Sequence, residues 1–270
     1  SPRPQTTRRR QLGILTTDAA QMVFVDTPGV HTPHHKLGQF FNQEAAEALD
    51  GVDAVLFLVN LGADPDEEDS RVTDLLASMR RSPPIVLGLN KADLVPPEAV
   101  EMRRAAYQAL VPGVPAAVFS ATSGQGLPEL LDLLISFLPV RPPEFSEDQV
   151  TDLYEREIAV ELIREAALVF LQQEVPHALA VRLDEFSERE NGNAYIAATL
   201  FIERDSQKGI VIGEGGAMLK KIGSAARKEI EAMSGRRVYL ELRVKVSKDW
   251  RDDEDALRRF GYKLKMGKKK

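Results

Sequence analysis

Three short apolar runs in this chain each stop at a loop of polar and small residues. Residues 22–25 (Met-Val-Phe-Val) run into Asp26-Thr27-Pro28-Gly29, residues 85–89 into Asn90-Lys91-Ala92-Asp93, and residues 116–119 into Ser120-Ala121-Thr122. Short unbroken apolar runs read as strands buried on both faces, the kind found in parallel sheets. Around them, apolar residues recur at helical spacing over 36–49, 67–80, 97–110 and 127–138, with a further buried strand over 53–59 and an edge strand over 12–17. Strands alternating with helices of this length predict an α/β fold with a doubly wound, mostly parallel sheet. The three loops then converge on the carboxyl edge of that sheet, where ligands of open α/β sheets bind.

The rest of the chain has a different pattern. Residues 139–151 are Pro-rich and polar and read as an interdomain linker. A long amphipathic helix over 153–173 follows, then strands over 180–186 and 194–203 around an Asn191-Gly192 turn. After a glycine-rich stretch at 209–216 come a helix over 217–233, a strand over 238–246 and a short helix over 252–260. A chain of 270 residues is long enough for two domains, expected at 1–138 and, as an α+β domain ending in a basic tail at 263–270, at 152–270. Residues 1–10, with two prolines and no apolar side chain, read as a loop. The absence of cysteine excludes disulfides and Cys-ligated zinc and suits a reducing cytoplasm. No apolar run approaches membrane-spanning length. His31, His34 and His35 follow a Pro-Gly turn and read as a solvated loop. A net charge of −6 argues against wholesale nucleic-acid binding, yet residues 204–248 hold eleven Lys and Arg against five Asp and Glu, a local basic face.

Each loop has its own chemistry. An Asp at a strand end, as Asp26 is, can hold a magnesium ion directly or through water beside a nucleotide phosphate. Gly29, lacking a Cβ, lets the backbone N–H reach a terminal phosphate. Taken alone, D-x-x-G occurs by chance about once in a chain of this length and reads better as a strand followed by a Pro-Gly turn. Asn90-Lys91-Ala92-Asp93 fits N-K-x-D. Its Asp accepts two hydrogen bonds from guanine's ring N–H and exocyclic amine, a pair that adenine does not offer. Its Lys stem lies over the base, and its Asn amide ties neighbouring loops together. The alternative is a capping turn after a strand. Ser120-Ala121-Thr122 supplies a loop whose Ala121 N–H is placed to meet the guanine O6. Three such loops in this order point to a guanine-nucleotide site.

On these residues the chain resembles the translation-factor-like GTPases, and within them the Era family of bacterial GTPases of small-subunit ribosome assembly. The likeness extends over nearly the whole chain, through P-R-P-Q-T-T-R at 2–8, V-D-T-P-G at 25–29, S-A-T-S-G-Q-G at 120–126 and V-I-G-E-G-G-A-M-L-K-K-I-G at 211–223. It implies a P-loop-type, GTP-hydrolysing switch with GTP or GDP and Mg2+ as cofactors. It makes Thr7, with Thr6 as the alternative, the switch threonine that ligates the metal when GTP is bound. Asp26 and Gly29 would serve the metal and the γ-phosphate, and Asn90, Lys91 and Asp93 would read guanine with support from Ser120 and Ala121. Without the resemblance, Thr6 and Thr7 are ordinary loop polarity. Two departures stand out. Val30 occupies the place where Ras-like enzymes have a water-orienting Gln, so attack must be organised by backbone groups, an ion or a partner, and slow intrinsic hydrolysis is expected. There is also no G-x-x-x-x-G-K-[ST] phosphate loop in these residues. In the family that loop lies just before the position of Ser1, so the expectation is an N-terminally truncated sequence that keeps the guanine reader and lacks the first strand and the phosphate grip.

Gly213-Glu214-Gly215-Gly216 gives G-x-x-G between an apolar stretch and a basic helix; alone it is a strand-to-helix turn. KH domains clamp the backbone of single-stranded RNA with such a loop, because glycine permits close phosphate approach, and the following helix N-terminus adds its dipole. Lys220, Lys221, Arg227 and Lys228 follow on the helix, and Ile210, Val211 and Ile212 would floor an apolar groove for bases. Glu214 inside the loop works against a pure charge argument. The helix–strand order resembles the family's type II KH domain. That implies a monomer that binds single-stranded ribosomal RNA near the 3′ end of the small-subunit RNA and, with it, the small ribosomal subunit. The tail at 263–270 reads as a solvated end, as further RNA phosphate contacts, or as attachment to an anionic membrane. A peripheral location on the inner face of the cell membrane therefore stands beside the cytoplasmic one. The leading reading is a GTP-switched RNA-binding assembly factor; the alternative is an RNA-binding protein with a nucleotide-incompetent G domain.

Overall fold

The computed structural model describes Thr7, Arg8, residues 10–79 and residues 81–262; Thr6 and the basic tail 263–270 lie outside the described residues. The chain forms two compact units. One holds Arg10–Thr32 and Phe41–Thr151; the other holds Pro33–Phe40 and the chain from Asp152 onward, together with Thr7 and Arg8.

In the first unit, β3 (Val55–Asn60), β4 (Ile85–Asn90) and β5 (Ala116–Val118) form a parallel sheet in that order, while β1 (Gln11–Thr16) and β2 (Gln21–Asp26) pair antiparallel. The helices are α1 (Lys36–Ala48), whose first residues fall in the other unit, α2 (Glu67–Ala77), α3 (Pro97–Leu110) and α4 (Leu127–Ile135). Their starts are written locally. Asp66 accepts from the Glu68 and Asp69 N–H groups at 2.7 and 3.1 Å while Asp69 reaches back to the Asp66 N–H at 3.0 Å, a capping box for α2. Pro97 opens α3, where its missing N–H is no loss.

Strand β4 has a core on each face. Leu87 and Leu89 pack with Phe57, Val59, Leu76 and Tyr107, and Val86 packs with Phe119, Leu130, Leu134 and Met22 of β2. Gly88 lies in this second layer because a Cβ there would sit 2.8 Å from Leu56 Cδ1. The doubly wound α/β expectation is met, with one correction. Residues 22–25 are not buried on both faces: Met22 is buried but Val23 is 37% exposed, because β2 pairs antiparallel with β1 and turns only one face to the core. The Pro-rich stretch 139–151 is fastened to this unit along its length. Gln21 Oε1 accepts from the Glu144 and Phe145 N–H groups at 2.9 Å each, Ile14 N–H donates to Val150 O at 2.9 Å, and Arg141 pairs with Asp53.

In the second unit, α5 (Glu155–Phe170) precedes β6 (Ala180–Glu188), β7 (Ala194–Ile202), α6 (Asp205–Ile212), α7 (Ala217–Ser234), β8 (Val238–Val246) and α8 (Glu254–Arg259). The sheet runs β6-β7-β8, with β6 antiparallel and β8 parallel to β7. Ala159, Ile163 and Ala167 of α5 and Ile222, Ala226 and Ile230 of α7 close on Ile196 and Leu200 of β7. Trp250 is fully buried and donates from Nε1 to Ala178 O at 2.8 Å. Here a second correction arises. Ile210, Val211 and Ile212 do not floor a groove together: they end helix α6, so Val211 is buried in the core while Ile210 is 48% exposed. Two parallel neighbours cannot be joined by a tight turn, and the crossover from β7 to β8 is helical despite its β-branched run.

The two layers around β4 give a direct contrast. Leu89→Ala should cost about 2–5 kcal/mol by leaving a cavity between two fully covered layers, whereas Leu94→Ala, at a side chain 67% exposed, should stay within about 0.5 kcal/mol. Urea unfolding followed by circular dichroism measures both.

Candidate functional site

The parallel register sets Asn60 opposite Asn90, and Phe119 N–H donates to Leu89 O at 3.0 Å, so the loops after β3, β4 and β5 leave the sheet side by side. Asn90 Oδ1 joins two of them. It accepts from Lys91 N–H at 2.7 Å and from Ala121 N–H at 3.0 Å, while Ala92 N–H donates to Phe119 O at 3.1 Å. Lys91 sits at φ 66°, the left-handed region that side-chain-bearing residues seldom occupy. Asp93 lies in the short 3-10 turn Ala92–Leu94, exposed and without a hydrogen-bond partner among the described residues. Ser120 is fully buried; its Oγ accepts from Ser123 N–H at 3.1 Å and its own N–H donates to Gln125 O at 2.8 Å. Asn90, Lys91, Asp93 and Ala121 thus lie on one surface, with Ser120 buried beneath it as support. In one respect it differs from the expectation: the Ala121 N–H, expected to face a guanine O6, already serves Asn90.

Asp26 is exposed at the end of β2, its Oδ2 accepting from Gln11 Nε2 at 3.2 Å. Gly29 is exposed, with nothing within 4 Å of where a Cβ would stand, so its backbone is open to a ligand. The chain after it is pinned to α1, where Asn42 accepts from His31 N–H at 3.2 Å and donates to His31 O at 2.9 Å. A lone hard carboxylate suits magnesium, which is commonly held by one or two carboxylates plus phosphate oxygens and water. Asp26 would hold that ion, and the ion would offset phosphate charge. Among the described residues no group of three or more His, Asp or Glu could hold a metal by itself, and His35 pairs instead with Asp252 at 2.7 Å.

Thr7, the expected switch threonine, belongs to the second unit, beside Arg8. Arg8 is buried in the second unit and donates to the carbonyls of Pro176 at 3.4 Å, His177 at 3.3 Å and Leu179. Burial pulls this guanidinium below its ordinary value, against the opposing pull of Tyr262.

In the second unit, the G-x-x-G sequence links two helices. Gly213 has φ 74° and no room for a side chain, since a Cβ would lie 2.7 Å from Met218 Cβ. Gly215 and Gly216, at φ 55° and 82°, have open space beside them. Gly216 is the N-cap of α7 and offers no side-chain acceptor; the Ala217 N–H donates to Glu214 O, and the N–H groups after it have no side-chain cap that would compete with a phosphate. Glu214 is exposed within the same loop. Lys220 is exposed with no partner among the described residues, but Lys221 Nζ lies 4.4 Å from the centre of the Phe170 ring, a cation–π contact that draws it toward α5.

Comparison with known proteins follows the same division. The KH domain family matches residues 174–251 and the 50S ribosome-binding GTPase family matches residues 1–91. GTPase Era of Geobacter metallireducens is 46% identical over 263 residues, which are 97% of this chain and 88% of that protein. GTPase Era of Staphylococcus epidermidis is 40% identical over 262 residues, 97% of this chain and 87% of that protein. Among solved structures, Era in complex with MgGDPNP and nucleotides 1506–1542 of 16S ribosomal RNA superposes with a TM-score of 0.91 at 34% identity, covering 98% of this chain and 89% of that one. A tyrosine-to-alanine variant of Aquifex aeolicus Era bound to GDP.AlF4- gives 0.90 at 34% identity, covering 98% and 90%.

The sequence reading did not single out Asn42 or Arg8. Their partners are remote or are backbone groups, so no local pattern marks them. Gly126, quoted only as part of a motif, holds the loop after β5: at φ 70° its Cβ would collide with the Val118 carbonyl oxygen. Gly126→Ala should therefore cost at least about 2 kcal/mol in urea unfolding; a loss under about 0.5 kcal/mol would contradict this account of the loop.

Proposed function

The chain belongs to the Era family of GTPases, and on that membership we propose a GTP-hydrolysing switch that binds single-stranded small-subunit ribosomal RNA and assists assembly of the small ribosomal subunit. The observation that carries the nucleotide half is the Asn90 side chain, which holds the loops at 91–93 and 120–122 in one surface with the Asp93 carboxylate exposed. In this reading Asp93 accepts from guanine's ring N–H and amine, the Lys91 stem covers the base, and Gly29 donates its N–H to the terminal phosphate. Asp26 holds Mg2+, which neutralises phosphate charge when bound. Val30 supplies no water-orienting group, so this chain's own side chains at that position leave intrinsic hydrolysis slow.

The RNA half rests on the open backbone at Gly215 and Gly216 and on a start of α7 that carries no side-chain cap. The Era relative that holds MgGDPNP together with 16S nucleotides 1506–1542 supports both GTP with Mg2+ and ribosomal RNA as ligands, near the 3′ end of the small-subunit RNA. A cysteine-free chain supports a cytoplasmic setting.

Two measurements test this reading. In the full-length protein, Asp93→Asn should move nucleotide preference from GTP toward XTP, whose 2-oxo group needs a donor where guanine offers one. Titration calorimetry with both nucleotides decides it, and an unchanged preference for GTP would remove Asp93 from the base site. Gly216→Asp should lower affinity for the 16S fragment 1506–1542 at least about tenfold at matched salt, read by fluorescence anisotropy. Asp is among the side chains that best tolerate this backbone region, so the fold survives while the phosphate meets a carboxylate.

A further inference from the structure

The sheet β6-β7-β8 has a face turned away from its helices. On β7, Ala194, Ile196, Ala198, Leu200 and Ile202 belong to the helical core, so Tyr195, Ala197, Thr199 and Phe201 point to the other side. Part of that side is covered. Thr199 bonds to Asp184, and the Phe201 ring lies 4.6 Å from that of Phe260. The other end is bare. Tyr195 and Tyr239 stand directly opposite in the parallel register, ring centres 5.7 Å apart and planes within 18°. Arg189 lies over Tyr195 at 4.7 Å, and the Tyr195 hydroxyl donates to Glu241 at 2.7 Å, which fixes that ring. Tyr239 is 68% exposed. An open recess of about 330 Å³ is formed here by Arg189, Asn191, Asn193, Ala194, Tyr195 and Tyr239.

These features select a ligand. Two nearly parallel, stacked rings on a rigid sheet suit a further flat aromatic group, and a volume at the small end of the ~300–1,000 Å³ range for ligand sites suits one ring system, not several. The Asn193 side-chain amide has no partner among the described residues and can meet a polar ring edge. One cation, Arg189, lines the recess, and Arg237, whose carbonyl accepts from the Ala194 N–H at 3.0 Å, is exposed and unpaired nearby among the described residues. Of the nearby acids, Glu188 is paired with Arg236 at 3.2 Å and Glu241 with Arg243 at 2.6 Å, and Glu190 does not line the recess. A flat polar ring carried on an anionic backbone is an RNA base.

We propose that Tyr195 and Tyr239, rimmed by Arg189 and Asn193, form a second RNA contact that stacks one unpaired base on the sheet face opposite the G-x-x-G loop. This rests on the RNA-binding reading above and adds to it a site that the loop does not contain. The chain then holds single-stranded RNA at two places, with the loop gripping backbone and the tyrosines gripping a base.

Tyr239 is exposed, so its variants keep the fold. Full-length protein, Tyr239→Ala and Tyr239→Phe are compared by fluorescence anisotropy with the 16S fragment 1506–1542 and with a single-stranded tetranucleotide, a length that a G-x-x-G clamp alone fills. Tyr239→Ala should weaken the long fragment about tenfold and leave the tetranucleotide unchanged, and Tyr239→Phe should match the parent on both. Undiminished binding of the long fragment by Tyr239→Ala would overturn the proposal, as would equal weakening of both RNAs. Self-association of the parent that Tyr239→Ala abolishes, with RNA affinity unchanged, would assign the face to a second copy and overturn it too. If Gly216→Asp fails to weaken either RNA, the RNA-binding reading itself fails; loss with Gly216→Asp but none with Tyr239→Ala overturns the tyrosine site alone.

Discussion

One carboxamide oxygen holds the nucleotide end of the first unit together. Asn90 Oδ1 accepts N–H groups from Lys91 and Ala121, one on its own loop and one on the loop after the next strand. For that geometry to exist, β4 must keep its register between β3 and β5, and the chain must turn sharply after Asn90. The first condition is met by a strand with both faces buried, where a slip of one residue would exchange its two cores. The second is met by Lys91 in the left-handed region, a cost of about 1–2 kcal/mol that the surrounding bonds offset. Asp93 then lies exposed beside a fixed surface, as the proposed guanine reader requires.

The second unit uses its small sheet differently on its two faces. One carries the core with α5 and α7 and, at the start of α7, the glycine loop. The other ends in two stacked aromatic rings, of which Tyr239 is exposed. Arg8 is tied into the same unit by its buried guanidinium, which reaches carbonyls 168–171 residues further along the chain. Residues 35–37, which follow the Asp26–Gly29 loop, are held in this unit as well, through His35 and Lys36 to Asp252 and Glu254 and from Leu37 N–H to Arg251 O.

Much of this was legible in the sequence for a definite reason. A buried parallel strand announces itself by an unbroken apolar run, so β3 and β4 and the loop after β4 could be placed within a residue or two. What failed did so where tertiary context outweighed local pattern. The run Met22–Val25 looked like β4 but pairs antiparallel and buries one face, which composition does not reveal. Ile210-Val211-Ile212 has strand propensity yet closes a helix, because the crossover to a parallel neighbour requires one. The place of Arg8 and the pairing of Tyr195 with Tyr239 depend on contacts between distant segments, and no periodicity encodes those.

In the proposed switch, a guanine-selective site controls RNA binding. This control is tested most directly by measuring the affinity of the full-length protein for the 16S fragment 1506–1542 with Mg2+ and saturating GDPNP, GDP or the adenine analogue of GDPNP. The account predicts affinities that differ by about tenfold between GDPNP and GDP, a coupling of ordinary allosteric size, with the adenine analogue giving the same value as no nucleotide. Equal affinity under all conditions would contradict it and leave an RNA-binding protein whose G domain is not a switch.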